Sequence, residues 1–116
     1  MAEIVGFGGV GNDKYWLHTW QGLANGDTGR PVRVSHMADK TVTVEGTFGA
    51  GGSISIEGSM DAITWAVLTD PQGNEITLTT EGVEAITENT RFVRPNVTAG
   101  DGTTDLTVRI GASASK

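Results

Sequence analysis

Two short segments with regular alternation constrain the fold more than any other feature of this sequence. Residues 41–45 (TVTVE) and 53–57 (SISIE) carry a β-branched apolar residue at every second position. Because successive side chains of a strand point to opposite faces, each segment has one apolar and one polar face. Both segments are therefore predicted to be half-buried strands. The link between them, residues 46–52, is rich in glycine, which predicts a hairpin with a longer loop.

Further strand signals are spread along the chain and are separated by turn-forming residues. They cover residues 15–20, 30–36, 64–68, 75–79, 91–98 and 105–110. Residues 81–89 do not alternate cleanly and contain several glutamates, which favours a single helical turn there. The sequence predicts an all-β fold, an antiparallel β-sandwich or jelly roll of about eight strands, with at most one short helical turn near 81–89.

The chain length of 116 residues predicts one domain with one hydrophobic core. We expect a flexible, glycine-rich N-terminal arm over residues 1–12, a β-sandwich domain over 13–111 and a frayed C-terminus over 112–116. The first residues lack the basic region of a signal peptide, and no apolar run is long enough to span a membrane. The expected location is the cytoplasm until the protein joins a larger assembly.

Charge and cysteine content exclude several classes of function. The formal net charge is −6, and the Lys and Arg residues, eight in all, do not cluster, which argues against binding nucleic-acid phosphates. There is no cysteine, so neither disulfides nor thiolate metal sites are available. Stability is expected to come from packing, backbone pairing or oligomerisation.

No residue pattern predicts catalysis or a bound cofactor. His18 and His36 lie on different predicted strands, but two histidines without a third ligand are usually ordinary strand residues. The carboxylates around Asp101 fit no calcium-loop spacing and are typical of turns. Glu45 and Glu57 end the two strands of the predicted hairpin, yet nothing indicates a cleft between them. We expect no enzyme activity, no metal and no cofactor.

Aromatic residues are few, so their placement is informative. Trp16 and Trp20 are predicted to share one strand face, with Tyr15 on the other. This pair could be part of the core, a platform for sugar rings, or an anchor at a protein interface. The apolar residues among the glycines of residues 4–20 make this segment the predicted contact with a partner. The predicted partner-binding residues are Ile4, Phe7, Tyr15, Trp16 and Trp20.

The middle of the chain has a recognisable plan. An alternating strand is followed by the turn Gly58-Ser59-Met60-Asp61 and by a second strand led by Trp65. Residues 90–95 (TRFVRP) and 99–108 (AGDGTTDLTV) extend the plan. From Ser53 to Ile110, about half of the chain, this sequence resembles the small decoration, or cement, proteins of tailed-bacteriophage capsids. A similar plan also occurs in discoidin-like and other sandwich modules that bind sugars or surfaces.

The resemblance implies a virion protein on the capsid exterior, assembled in the host cytoplasm. Such a protein would bridge neighbouring subunits of the phage major capsid protein and associate with itself as a homodimer or homotrimer, without contacting nucleic acid or membrane. The alternative is a discoidin-like carbohydrate- or surface-binding module of a virion, an accessory to a fibre or to adsorption. A sugar-binding relative would be expected to carry a secretion signal or calcium-clamped loops, and this sequence shows neither.

Four residues of this plan are predicted to build the scaffold. Gly58 and Asp61 are assigned to the turn, and Trp65, which opens a strand after that turn, is predicted to fill the core. Arg94 is predicted to anchor a turn through the backbone or through Asp61, while Arg91, on the opposite face, reaches a partner.

Overall fold

The computed structural model describes residues 3–12, 15–35 and 37–114, and for residues 7–12, 15 and 114 it describes the backbone only. The described chain forms two β-sheets packed face to face, which confirms the predicted all-β sandwich. Strands are formed because β-branched residues alternate with polar ones and glycine-rich turns interrupt them. No helix occurs in these ranges, and thus none that is long and apolar enough to cross a membrane.

The first sheet has seven strands, several of them only two residues long. They are β1 (Glu3–Ile4), β4 (Thr28–Gly29), β5 (Val32–Arg33), β7 (Ser53–Ser59), β8 (Ala66–Val67), β9 (Thr77–Leu78) and β11 (Phe92–Ala99). The long strands β7 and β11 pair along their whole length and form its centre. The short strands extend the sheet on both sides, and β1 pairs with β4 in parallel.

The second sheet has five strands in the order β10-β6-β12-β3-β2, and all its pairings are antiparallel. They are β2 (Phe7–Asn12), β3 (Tyr15–Leu23), β6 (Met37–Thr47), β10 (Gly82–Ala85) and β12 (Asp105–Ala114). The core lies between the two sheets and is built from the inward side chains of alternating positions. Its fully buried members include Trp20, Leu23, Val42, Val44, Ile54, Ile56, Val93, Leu106, Val108 and Ile110.

The two alternating segments are strands, as predicted, but they do not form a hairpin with each other. Residues 41–45 lie in β6 of the five-stranded sheet, and residues 53–57 lie in β7 of the seven-stranded sheet. The glycine-rich link carries the chain across the sandwich instead. It is held by Asp101, whose carboxylate accepts from the amide of Ala50 at 2.8 Å, and by Thr104, whose hydroxyl donates to the carbonyl of Phe48 at 2.7 Å.

Residues 81–89 contain the strand β10 and no helical turn, contrary to the prediction. Gly82–Ala85 pairs antiparallel with residues 41–44 and makes β10 the edge of the five-stranded sheet. The backbone amide of Ile86 then donates to the carbonyl of Lys40 at 3.0 Å, which keeps this segment against β6. Pairing with β6 and burial of Ile86 outweigh the helix propensity of the glutamates.

The described parts of the predicted N-terminal arm and frayed C-terminus are in strands, while residues 1–2 and 115–116 lie outside the described residues. Within residues 1–12, β1 joins the seven-stranded sheet and β2 joins the five-stranded sheet, so the chain crosses one edge of the sandwich at Val5 and Gly6. At the other end, β12 continues to Ala114, beyond the boundary expected at residue 111. Backbone hydrogen bonds to neighbouring strands, which the sequence pattern does not reveal, hold both segments.

Candidate contact surface

The aromatic row of β3 faces the core. Trp16, His18 and Trp20 lie on one face, with His18 stacked on Trp16 at 5.7 Å between ring centroids and edge-on to Trp20 at 4.6 Å. Trp20 is fully buried, and its indole N–H donates to the carbonyl of Arg30 at 3.1 Å. The prediction that Trp20 contacts a partner is wrong because no part of it reaches the surface. Burial lowers the pKa of His18 from its ordinary value.

Of the other predicted contact residues, the two with described side chains are not fully exposed. Ile4 and Trp16 are partly buried and pack against the core. The side chains of Phe7 and Tyr15 lie outside the described residues, so their assignment stays a prediction. The next residue after Ile4, Val5, is well exposed at 63%. Among the described side chains of residues 4–20, Val5 is the large apolar one that is well exposed.

The turn after β7 is rigid because its polar side chains bond the backbone. Asp61 accepts from the amides of Ile63 and Thr64, each at 2.9 Å, and from the hydroxyl of Ser59 at 2.9 Å. These donors, the amide of Thr64 first, hold the pKa of Asp61 below its ordinary value. Gly58 precedes the turn at a close approach, since a Cβ there would lie 2.6 Å from Leu68. Asp61 therefore lies in a tight, hydrogen-bonded corner, whereas Gly58, which was also assigned to the turn, belongs to β7 and pairs with Val93.

Residues 60–64, which we call the apical loop, are all exposed, and two of them are large and apolar. Ile63 is 81% exposed and Met60 is 58% exposed. Ala62 has a φ of +62°, a left-handed conformation that costs a non-glycine residue about 1–2 kcal/mol. An apolar loop held in a strained conformation by internal hydrogen bonds is preorganised for contact with another surface.

The outer face of the seven-stranded sheet continues directly from the apical loop. Arg94 pairs across the strands with Glu57, and its Nε donates to Glu57 Oε1 at 2.9 Å. Asn96 donates to the second oxygen of the same carboxylate at 3.0 Å. The Arg94 guanidinium also lies 4.1 Å from the centre of the Trp65 ring. We call Glu57, Trp65, Arg94 and Asn96 the outer-face cluster.

The roles predicted for Trp65 and Arg94 need correction. Trp65 is only partly buried, and its ring lies against the Arg94 guanidinium on the outer face of the sheet. Arg94 bonds Glu57 and not Asp61, since cross-strand register places the two side by side. Both residues belong to the surface next to the apical loop. Arg91, the other arginine of this pair, lies 5.5 Å from the Phe92 ring.

The acidic residues considered for catalysis are separated. Glu57 lies in the seven-stranded sheet with Arg94, whereas Glu45 lies in the five-stranded sheet and pairs with Arg109. Asp101 accepts from Thr103 and Ala50, and these donors lower its pKa to about 2. His36 lies outside the described residues. Within the described ranges, no three His, Asp or Glu side chains are grouped so that they could hold a metal ion.

The strand and aromatic patterns of the sequence do not point to the apical loop as a contact, although the sequence contains a signal for it. Met60 and Ile63 stand inside a segment whose Ser59 and Asp61 are typical turn residues. Large apolar residues in a short hydrogen-bonded turn have no strand face on which to be buried. Their exposure follows from the turn assignment, whereas the aromatic residues of β3 drew attention because aromatics are enriched in interfaces.

Comparisons with known proteins identify the fold. No protein-family model matches the chain, and no curated protein matches it in sequence. The solved structure of the SPBc2 prophage-derived protein YomS superimposes with a TM-score of 0.66 at 14% identity, covering 91% of this chain and 100% of that one. A cupin domain from Bordetella pertussis Tohama I superimposes with a TM-score of 0.52 at 17% identity, covering 97% and 96%. At these identities the shared feature is the two-sheet fold.

Proposed function

We propose that this chain is a decoration protein that binds the outside of a phage head and bridges neighbouring subunits of the major capsid protein. The apical loop makes the principal contact. In this role the protein is a structural component of the virion, assembled in the host cytoplasm, and has no enzymatic activity. It acts as a homo-oligomer, either a dimer or a trimer, and touches neither nucleic acid nor membrane.

Two observations support this proposal, one from the sequence and one from the fold. The segment from Ser53 to Ile110 resembles phage cement proteins in sequence plan. The whole fold, over 91% of the chain, is shared with a prophage-derived protein.

The observation that carries the proposal is the exposure of Ile63 on a rigid loop. Burying a side chain such as that of Ile or Met contributes about 1.5–3 kcal/mol. Asp61 and Ser59 already fix the loop, so little conformational entropy is lost when it docks. The partner surface that fits it is an apolar recess at the junction of coat subunits.

A single contact of this size is weak, but a capsid repeats it at every equivalent position. A protein that binds the assembled lattice and not the free subunit stabilises the lattice by mass action. If each oligomer engages two or three coat subunits at once, the second contact is intramolecular and the complex dissociates slowly. The outer-face cluster, which borders the loop, supplies polar contacts at the rim of this interface.

The sugar-binding alternative loses its main support. It relied on Trp16 and Trp20 as a stacking platform, and Trp20 is fully buried while Trp16 packs against the core. Among the described residues, the outer face of the seven-stranded sheet carries one tryptophan, Trp65. The Arg94 guanidinium already covers one face of its ring. Retention of the protein on a polysaccharide column would revive this alternative.

The test is co-sedimentation with expanded heads of the phage that encodes the chain, prepared without this protein. Wild-type protein should bind to saturation, at a fixed ratio to coat subunits. Ile63→Asp, which places a charge at the tip of the loop, should lower the affinity by at least about tenfold, because a charged group cannot be buried there without a partner.

Val83→Asp is the matched control. Val83 is 62% exposed but lies on β10, in the other sheet, so its substitution should leave head binding unchanged. If wild-type protein does not bind heads, the decoration function is refuted. If Ile63→Asp binds as well as wild type, the function stands and the apical loop is not the contact.

A further inference from the structure

Lys40 is buried at the inner face of β6, an uncommon position for a lysine. Its side chain is 2% exposed and continues the inward row of Val42 and Val44. The ammonium nitrogen Nζ donates to Oδ1 of Asn89 at 3.0 Å. Its one hydrogen-bond partner among the described side chains is thus a neutral carboxamide.

Two carboxylates act on this lysine from nearby. Burial lowers the pKa of Lys40, while the charges of Asp39 and Glu88 oppose that shift. Glu88 precedes Asn89 in the chain and is held in place by Thr69, whose amide and hydroxyl donate to it at 2.8 and 2.5 Å. Burial raises the pKa of Glu88, but these donors outweigh it, so the group remains a carboxylate.

The geometry points to an intramolecular isopeptide bond between Lys40 and Asn89. A primary amine rests against the carboxamide that it would attack, and a fixed carboxylate on the adjacent residue can relay the proton. The assignment is independent of the proposed decoration function.

The reaction needs no oxidant and no added reagent. Lys40 and Glu88 do not form an ion pair among the described residues, so Nζ passes a proton to the Glu88 carboxylate through water and, as the neutral amine, attacks Cγ of Asn89. The bond from Cγ to Nδ2 breaks, and the departing nitrogen takes up the proton from Glu88 and one of the two protons left on Nζ, leaving as ammonium, while the other proton stays on the new amide nitrogen. The charge of one ammonium is thereby transferred from Lys40 to the released ion. Asn89 lies at the surface, so the ion passes directly into water.

Such a bond would join the two sheets. Lys40 belongs to β6 of the five-stranded sheet, and Asn89 lies just before β11 of the seven-stranded sheet, 49 residues further along the chain. The chain has no cysteine, so a disulfide cannot serve this purpose. A covalent link between the sheets would resist their separation under mechanical load and would persist in a reducing cytoplasm.

Intact-mass spectrometry of the full chain under denaturing conditions tests the bond. The expected result is a main species lighter than the sequence mass by one ammonia. Trypsin should fail to cleave after Lys40, so that residues 34–91 appear as one peptide lighter by one ammonia. Lys40→Met and Asn89→Ala should each show the unmodified mass of their own sequence, and Glu88→Gln should be cross-linked more slowly.

The wild-type measurement decides the matter without relying on any variant's folding. Full sequence mass together with complete cleavage after Lys40, in protein aged for several days, would overturn the inference. An ammonia loss that maps to the Asn25-Gly26 peptide would also overturn it, because succinimide formation there causes the same mass change. If Glu88→Gln is cross-linked as fast as wild type, the bond stands and the relay role of Glu88 is refuted.

Discussion

The Arg94 guanidinium carbon lies 4.1 Å from the centre of the Trp65 ring while its Nε donates to Glu57 at 2.9 Å. One side chain therefore stacks on an aromatic ring and closes an ion pair on the same sheet face. The pair is well shielded, since the side chains of Arg94 and Glu57 are 24% and 13% exposed. This arrangement fixes Trp65 beside the apical loop.

Removing the arginine should therefore destabilise the fold. Arg94→Leu leaves the Glu57 carboxylate with Asn96 as its remaining side-chain donor, and we expect a loss of about 1–3 kcal/mol. Urea unfolding followed by tryptophan fluorescence measures it. Arg30→Leu is the control, because its pair with Glu3 is exposed and such pairs contribute about 0–1 kcal/mol. Equal losses for both variants would contradict the shielding argument.

The backbone strain at Ala62 can be relieved by substitution. Ala62→Gly removes the steric cost of a left-handed conformation and adds the entropy cost of glycine in the unfolded chain, so a net gain of about 0.5–1 kcal/mol is expected. Thermal unfolding is the measurement. Ala50→Gly, at an exposed turn residue without positive φ, should destabilise by about 0.4–1 kcal/mol. Destabilisation by Ala62→Gly would argue against the left-handed loop.

Trp20 should behave as a core residue. Trp20→Phe deletes the indole N–H that satisfies the Arg30 carbonyl and leaves a small void, for an expected loss of about 1–3 kcal/mol. Occupancy on expanded heads, measured at a temperature where the variant is folded, should equal that of wild type. A folded Trp20→Phe variant with reduced occupancy would return this residue to the contact surface.

The pH dependence of stability should reveal the buried imidazole. Because burial lowers the pKa of His18 below its ordinary 6.5, the unfolded chain binds the proton more readily than the folded chain. The contribution of neutral His18 to the free energy of unfolding is fully present above pH 6.5 and declines as the pH falls below that value. It is lost below the pKa of His18 in the folded protein. Chemical unfolding at a series of pH values between 7 and 5 measures the decline.

His18→Leu is the matched variant for that series. It removes the titrating group from between the two tryptophans, so the slope of stability against pH in this window should become smaller. The pKa values of Asp61, Glu88 and Asp101 are lowered on folding, so these groups lose stability mainly at more acidic pH, and they do so equally in both proteins. An unchanged slope would show that His18 titrates normally in the folded protein.

Local patterns predicted the strands and the turn but not how they combine. Alternation located β6 and β7, and turn chemistry located the corner at Ser59 and Asp61. The strands β1, β2 and β4, with their weak patterns, were not found, since short or glycine-rich strands depend on the neighbours that supply their hydrogen bonds.

For the candidate contact surface, too, local sequence patterns determined one part and tertiary packing decided the other. The sequence by itself determined that the chain is an all-β sandwich and that a turn is built around Ser59 and Asp61, because alternation and side-chain-to-backbone bonding act between near neighbours. Only the tertiary structure decided that Trp20 is buried, that Trp65 is on the outer face, and that Arg94 meets Glu57. Those outcomes depend on which sheet each strand joins and in which register, and that choice is made by the packing of the whole core.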